Sequence, residues 1–91
     1  MANHKYIVLD IEGREEIFIF PPSVDHDRML EALQAIRFGD SRNWRRKYRD
    51  GEAVSAGFII AGHCAGRSET LELNSRGSVD DVLLKDAGFK Q

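Results

Sequence analysis

The sequence is poor in the residues that carry metal, redox and nucleophilic chemistry. Its 91 residues include one cysteine, Cys64, so no disulfide can form within the chain and a reducing compartment is expected. It has only three histidines, and no Cys or His pair recurs at the short spacing of a structural zinc site. The sequence therefore predicts no bound metal and no cofactor.

Long apolar runs are also missing. No segment approaches the roughly 20 apolar residues of a membrane-spanning helix, and the run that begins near Tyr6 is too short for a secretory signal. We therefore expect a cytoplasmic protein that does not contact membranes. Its hydrophobic content of 42% is nevertheless too high for a disordered chain. The length predicts a single domain, 1–91.

Charge is distributed unevenly, although the formal net charge is only −2. The segment 42–49 holds five cations and no acidic residue, which leaves 8 basic and 15 acidic residues, a net charge of −7, for the rest of the chain. The sequence thus combines a basic segment with an acidic body.

An antiparallel hairpin is predicted near the start of the chain. Residues 5–11 and 16–20 are rich in β-branched and aromatic side chains, and Gly13 suits the turn between them. In the second strand, Ile17 and Ile19 share one face while Phe18 and Phe20 share the other. Both faces of this strand should therefore be covered, by a helix, by the long loop or by another subunit.

A second hairpin is predicted from residues 53–61 and 68–73, with a turn at 62–66. Gly57 in its first strand indicates a β-bulge or a close approach of another backbone segment. Between the two hairpins, a helix over 24–38 is predicted from a stripe of four apolar residues: Met29, Leu30, Leu33 and Ile36. Ser23 or Asp25 suits its N-cap, and Gly39 suits its C-terminal end.

Ser78 followed by Asp81 resembles a capping box and predicts a short C-terminal helix over 79–87, with Val79, Leu83 and Leu84 buried. The predicted order is ββαββα. We expect an α+β fold in which an antiparallel four-stranded sheet carries the main helix on one face. Residues 40–52 show no sustained apolar period and predict a long basic loop.

The basic segment is the candidate contact site for a nucleic acid or another partner. Guanidinium groups pair well with phosphates, and aromatic rings stack on unpaired bases. A structural role for the tryptophan in the core is the alternative, because a lone tryptophan in a small domain usually packs. The candidate residues are Arg42, Trp44, Arg45, Arg46, Lys47, Tyr48 and Arg49.

Two histidine-containing motifs are candidates for catalytic chemistry. Asp25-His26-Asp27 places an imidazole between carboxylates, but aspartates at a helix N-terminus already have a capping role. His63-Cys64 suggests a nucleophile beside a base, yet adjacent residues of a strand point to opposite sides. The sequence therefore predicts no catalytic residues, and an enzyme would need a site built by a dimer.

Four segments of the chain resemble small accessory proteins of phage and prophage genomes, a group without an assigned function. These segments are Lys5–Asp10, Val24–Met29, Val54–Phe58 and Gly66–Leu71. The resemblance covers most of the chain and implies a compact protein that binds a host or phage component.

These observations predict a non-catalytic binding module of phage or bacterial type. Its partner is expected to be a macromolecule, and a protein is favoured over a nucleic acid because the acidic body would repel a long polyanion. Nucleic-acid binding through 42–49 is the first alternative, and a small enzyme using His26 or His63 is the second. A homodimer is compatible with the sequence.

Overall fold

The computed structural model describes residues 4–38, 45–46 and 51–89. A four-stranded antiparallel sheet has the order β2-β1-β5-β6, and two further pairs of short strands, β3-β4 and β7-β8, lie outside it. The α+β class and the four-stranded sheet with two helices are confirmed. The elements are β1 His4–Ile11, β2 Arg14–Phe20, α1 His26–Gln34, β3 Arg37–Phe38, β4 Arg45–Arg46, β5 Glu52–Ile60, β6 His63–Ala65, β7 Arg67–Ser68, β8 Leu73–Asn74 and α2 Ser78–Asp86.

The first hairpin forms as predicted. Ile11 pairs with Arg14 across a two-residue turn in which Glu12 (φ 54°) and Gly13 (φ 84°) both adopt left-handed conformations. This geometry matches the twist of the flanking strands. The N–H of Gly13 donates to Asp10 Oδ1 at 2.9 Å, which fixes the turn from the side.

The predicted order ββαββα is not confirmed, and the second return strand was wrongly placed. The chain reverses at Ala61 (φ 51°) and Gly62 (φ 81°), and β6 follows at once, inside the segment expected to be a turn. Residues 68–73, predicted as a strand, contain instead the end of β7, a turn and the start of β8. In that turn Glu72 takes a left-handed conformation (φ 54°), which interrupts a continuous strand.

Helix α1 is shorter than the predicted 24–38, because the chain turns at Ala35 and enters β3 at Arg37. Asp25 occupies the predicted N-cap position but makes no side-chain capping bond. Three of the four predicted apolar residues of the stripe pack against the sheet, whereas Ile36 is exposed. The predicted C-terminal Gly39 lies outside the described residues.

The sheet is covered on both faces, as the side chains of β2 predicted. One core holds buried Tyr6, Val8, Ile59, Cys64 and Leu84, with Ile17 and Ile19 packed against it. The other holds buried Ile7, Leu9, Phe20, Leu33 and Ala56, with Phe18 packed against it. Helix α2 lies over the first core and α1 over the second. The central strand β1 therefore contributes alternate residues to two separate cores.

Helix α2 begins one residue earlier than predicted, and Gly77, not Ser78, occupies the N-cap position. Its orientation also differs from the prediction. Leu84 is buried and Leu83 partly buried, but Val79 is 53% exposed, and the buried residue of the first turn is Asp80. The polar contacts of Asp80, described below, account for this rotation of the helix.

Gly57 marks a close backbone approach, one of the two outcomes that the sequence predicted. A Cβ at this position would lie 2.5 Å from the carbonyl oxygen of Ala65 on β6. The irregularity of β5 lies elsewhere: Val8 pairs with Ser55 and Leu9 with Ala53, so Val54 is an extra residue in the strand.

Candidate functional site

The basic segment lies mainly outside the described residues, which is true of Arg42, Trp44, Lys47, Tyr48 and Arg49. Arg45 and Arg46 form β4 and Glu52 begins β5, so these three residues of the predicted long basic loop, 40–52, lie in strands. In the backbone register, Arg46 pairs with Arg37 and Arg45 with Phe38. The ladder therefore adds Arg37 to the cations of this segment.

His26 is buried and serves the fold. Its Nε2 lies 2.9 Å from the carbonyl oxygen of Gly57, to which the ring N–H donates. The rings of Phe20 and Phe58 meet it edge-on, with centroids 5.4 and 5.7 Å away. Burial lowers the pKa of His26, which favours the neutral ring. Asp25 and Asp27, on either side of it in the sequence, are exposed.

A shallow cleft of about 210 Å³ opens beside His26. The ammonium of Lys5 donates to the carbonyl oxygen of Val24 at 3.0 Å, lies 3.9 Å from Asp25 Oδ1 and stands 5.9 Å from the ring centroid of Phe58. Among the other residues that line the cleft, Arg67 Nε lies 3.9 Å from Glu69 Oε2. The charges of the cleft are thus compensated by its own residues.

Cys64 and His63 lie beside Asp81, a residue that no local motif connects with them. His63 Nδ1 is 3.3 Å from Asp81 Oδ2, and the backbone N–H of Cys64 donates to Asp81 Oδ1 at 2.6 Å. Burial and the hydrogen bond with Asp81 raise the pKa of the Cys64 thiol to about 12. The thiol is therefore protonated at neutral pH and lacks the thiolate character of a nucleophile.

A buried hydrogen-bonded network joins α2 to the sheet through Asp80, whose side chain is fully buried. Its Oδ1 accepts from Ser55 Oγ at 3.1 Å and from Arg76 Nε at 2.8 Å. Its Oδ2 accepts from the Tyr6 hydroxyl at 2.6 Å and from the backbone N–H of Arg76 at 3.0 Å. Each oxygen has two donors, which fills the acceptor capacity of a carboxylate.

The network extends beyond Asp80 in two directions. The Tyr6 hydroxyl has one proton and gives it to the carboxylate, so the Ser75 hydroxyl, 2.7 Å away, donates to the phenol oxygen. Burial and the bond to Asp80 raise the pKa of Tyr6 well above its usual value. On the other side, the guanidinium of Arg76 holds Glu15 of β2 through a bidentate pair at 3.0 and 3.1 Å, which lowers the pKa of Glu15.

The outer edge of β2 carries backbone groups that the sheet does not use. The two-residue turn makes Ile11 and Arg14 a hydrogen-bonded pair, and such pairs alternate along an antiparallel ladder. The N–H and C=O groups of Glu15, Ile17 and Ile19 therefore point away from β1. In the described part of the chain, β2 is the terminal strand of the sheet and no other strand pairs with this edge.

This edge lacks several of the features by which proteins protect terminal strands. Its pairing with β1 runs without a bulge from Arg14 to Phe20, and Pro21 and Pro22 stand only at its end. Helix α2, which packs over β2, leaves Val79 and Val82 exposed at 53% and 59%. The edge of β2 is therefore the candidate interface.

No protein-family model, curated protein or solved structure matches this chain.

Three further findings bear on the chemistry of the described residues. None of the helices in residues 4–38 and 51–89 is long and apolar enough to cross a membrane. No group of three or more His, Cys, Asp or Glu side chains in this part of the chain is placed to hold a metal ion. His26, Cys64 and Asp80 each bond to another element of the fold, whereas no described strand uses the outward N–H and C=O groups at the edge of β2.

Proposed function

We propose that the protein is a non-catalytic binding module of phage or bacterial type, which acts in the cytoplasm by contact with another protein. The contact surface is the outer edge of β2, and the partner adds an extended strand to it. The single observation that carries this proposal is the outward row of backbone N–H and C=O groups at Glu15, Ile17 and Ile19. Strand addition obtains its affinity from main-chain hydrogen bonds of this kind.

The edge is held in place before a partner arrives. β2 pairs with β1 along its whole length, and its side chains pack into cores on both faces of the sheet. Arg76 ties Glu15 to the start of α2. A strand that is already ordered loses little conformational entropy on binding, which favours affinity from a small contact area.

The proposal predicts that the edge selects extended peptides. A displayed library of random peptides of about ten residues would be selected on the wild-type protein and then tested against Ile17→Pro. Proline removes the outward N–H of residue 17 and blocks the approach of a strand, so binding should fall by about tenfold or more. Ile17→Val is the matched control, because it also trims the side chain but keeps the N–H.

Amide hydrogen exchange locates the bound peptide. The amides of Glu15, Ile17 and Ile19 should gain protection, while those of Glu16 and Phe18, which point to β1, should change little. A selection in which every peptide binds wild type and Ile17→Pro equally would refute strand addition at this edge.

Nucleic-acid binding is the second candidate, favoured by the register of β3 and β4. This ladder brings the backbone of Arg37 beside that of Arg46, which adds one cation to the five of segment 42–49. We expect any binding to single- or double-stranded oligonucleotides to weaken steeply with salt and to fall by about tenfold in Arg45→Ala/Arg46→Ala. Fluorescence anisotropy measures both, and no binding at low salt removes this candidate.

A further inference from the structure

Two copies of β2 can pair with each other as antiparallel strands, and one register of this pairing suits both the backbone and the side chains. Antiparallel pairing of two copies centred on Ile17 sets Ile17 opposite Ile17 and Glu15 opposite Ile19. These are the residues whose N–H and C=O groups point outward, so every outward donor meets an outward acceptor. The remaining pairs, Glu16 with Phe18 and Arg14 with Phe20, set no charge opposite a like charge.

Neighbouring registers lose this match. A pairing centred on Glu15 sets two glutamates face to face, which is unfavourable, and brings Ile17 opposite Gly13 of the turn. A pairing centred on Ile19 brings Ile17 opposite Pro21, which has no N–H to donate. A pairing centred on Glu16 sets two glutamates face to face, and a pairing centred on Phe18 brings Glu15 opposite Pro21, which has no N–H to donate.

We propose that a second copy of this chain occupies the edge of β2, in a two-fold dimer centred on Ile17; the proposal rests on the function proposed above. The two four-stranded sheets then form one continuous sheet. The two-fold axis is perpendicular to the sheet, so both copies of α2 lie on the same face. This arrangement is closed, because each copy uses its β2 edge to bind the other and no β2 edge remains for a third copy.

The dimer is expected to be weak and concentration-dependent. Its contact consists of one strand from each copy, and an interface of this kind falls near or below the roughly 1,000 Å² of stable complexes. Sedimentation equilibrium over about 5 to 500 µM should show the mass rising from 10.3 kDa towards twice that value. A mass that stays at the monomer value across this range contradicts the proposal.

Charge substitutions at Ile17 test the centre of the pairing. Ile17→Lys and Ile17→Glu should each weaken self-association by about tenfold or more, because like charges then face each other at the axis. An equimolar mixture of the two should recover a mixed dimer, since Lys then faces Glu. Ala32→Lys adds the same charge on exposed α1 and should leave the association unchanged. Equal self-association of wild type and Ile17→Lys would place the contact elsewhere.

Amide exchange of the wild-type protein provides a readout that does not depend on a variant's folding. Protection at Glu15, Ile17 and Ile19 should rise with protein concentration while protection at Phe18 stays constant. Peptides selected on the wild-type protein distinguish a failure of the dimer from a failure of the proposed strand addition. A protein that stays monomeric but binds peptides at β2 retains the function and loses the dimer, whereas equal binding to wild type and Ile17→Pro removes the strand-addition function.

Discussion

Asp80→Ala is expected to unfold much of the protein under conditions in which the wild type is folded. The substitution removes an acceptor for four hydrogen bonds. The Ser55 hydroxyl loses its carboxylate partner, while Tyr6 keeps only Ser75 and Arg76 keeps only Glu15. Removing one member of a buried charged pair costs about 3–5 kcal/mol. That is a large share of the roughly 5–15 kcal/mol by which a domain is stable.

Urea unfolding followed by circular dichroism measures this loss. Asp86→Ala is the matched control: the same substitution near the end of the same helix, at an exposed position. It should change the free energy of unfolding by less than about 0.5 kcal/mol. Asp80→Asn should lie between the two, because the amide keeps the shape but accepts through one oxygen only. Wild-type stability in Asp80→Ala would show that the network contributes little.

Gly57→Ala is expected to have the second largest effect. The new methyl would lie 2.5 Å from the Ala65 carbonyl oxygen and 3.3 Å from Ser75 Cβ. Backbone cannot move aside as a flexible side chain does, and Ala65 is held by its pairing with Phe58. β6 must therefore shift, and such overpacking costs about 3 kcal/mol or more. The shift also disturbs the carbonyl of residue 57 that accepts from His26.

Gly13→Ala separates crowding from backbone strain. No atom lies within 4 Å of a Cβ at Gly13, so only its left-handed conformation (φ 84°) opposes the methyl. The expected cost is about 1 kcal/mol. Amide exchange should show lost protection in β5 and β6 for Gly57→Ala, and only around the first turn for Gly13→Ala. Equal losses in the two variants would contradict the contact with Ala65.

Local patterns predicted the elements whose signals lie close together in sequence. Because a strand has a two-residue period, Ile17 and Ile19 lie on one face of β2 and Phe18 and Phe20 on the other. This pattern correctly predicted that both faces of the sheet are covered. The turn before β6 was predicted over 62–66 and not at Ala61 and Gly62, because Ala61 adopts a left-handed conformation where Asn or Gly would have been the usual signal.

The buried network could not be predicted from local patterns. Asp80 lies in the first turn of the predicted helix 79–87, where an aspartate is favourable without any tertiary partner. Its partners Tyr6 and Ser55 lie 74 and 25 positions away in the chain, and Glu15 lies 61 positions from Arg76. Only the folded sheet brings these groups together, so no spacing in the sequence indicates that they form a network.

The alternation of β1 between two cores has a consequence for how the chain finds its register. A slip of one residue would move Ile7 and Leu9 under α2 and Val8 under α1, and these aliphatic side chains are so alike that apolar burial alone discriminates weakly between the two alignments. Tyr6 is the exception, because its hydroxyl reaches the carboxylate of Asp80 in one alignment only. The hydrogen bond from Tyr6 to Asp80 therefore favours the observed alignment of β1 over the alignment shifted by one residue.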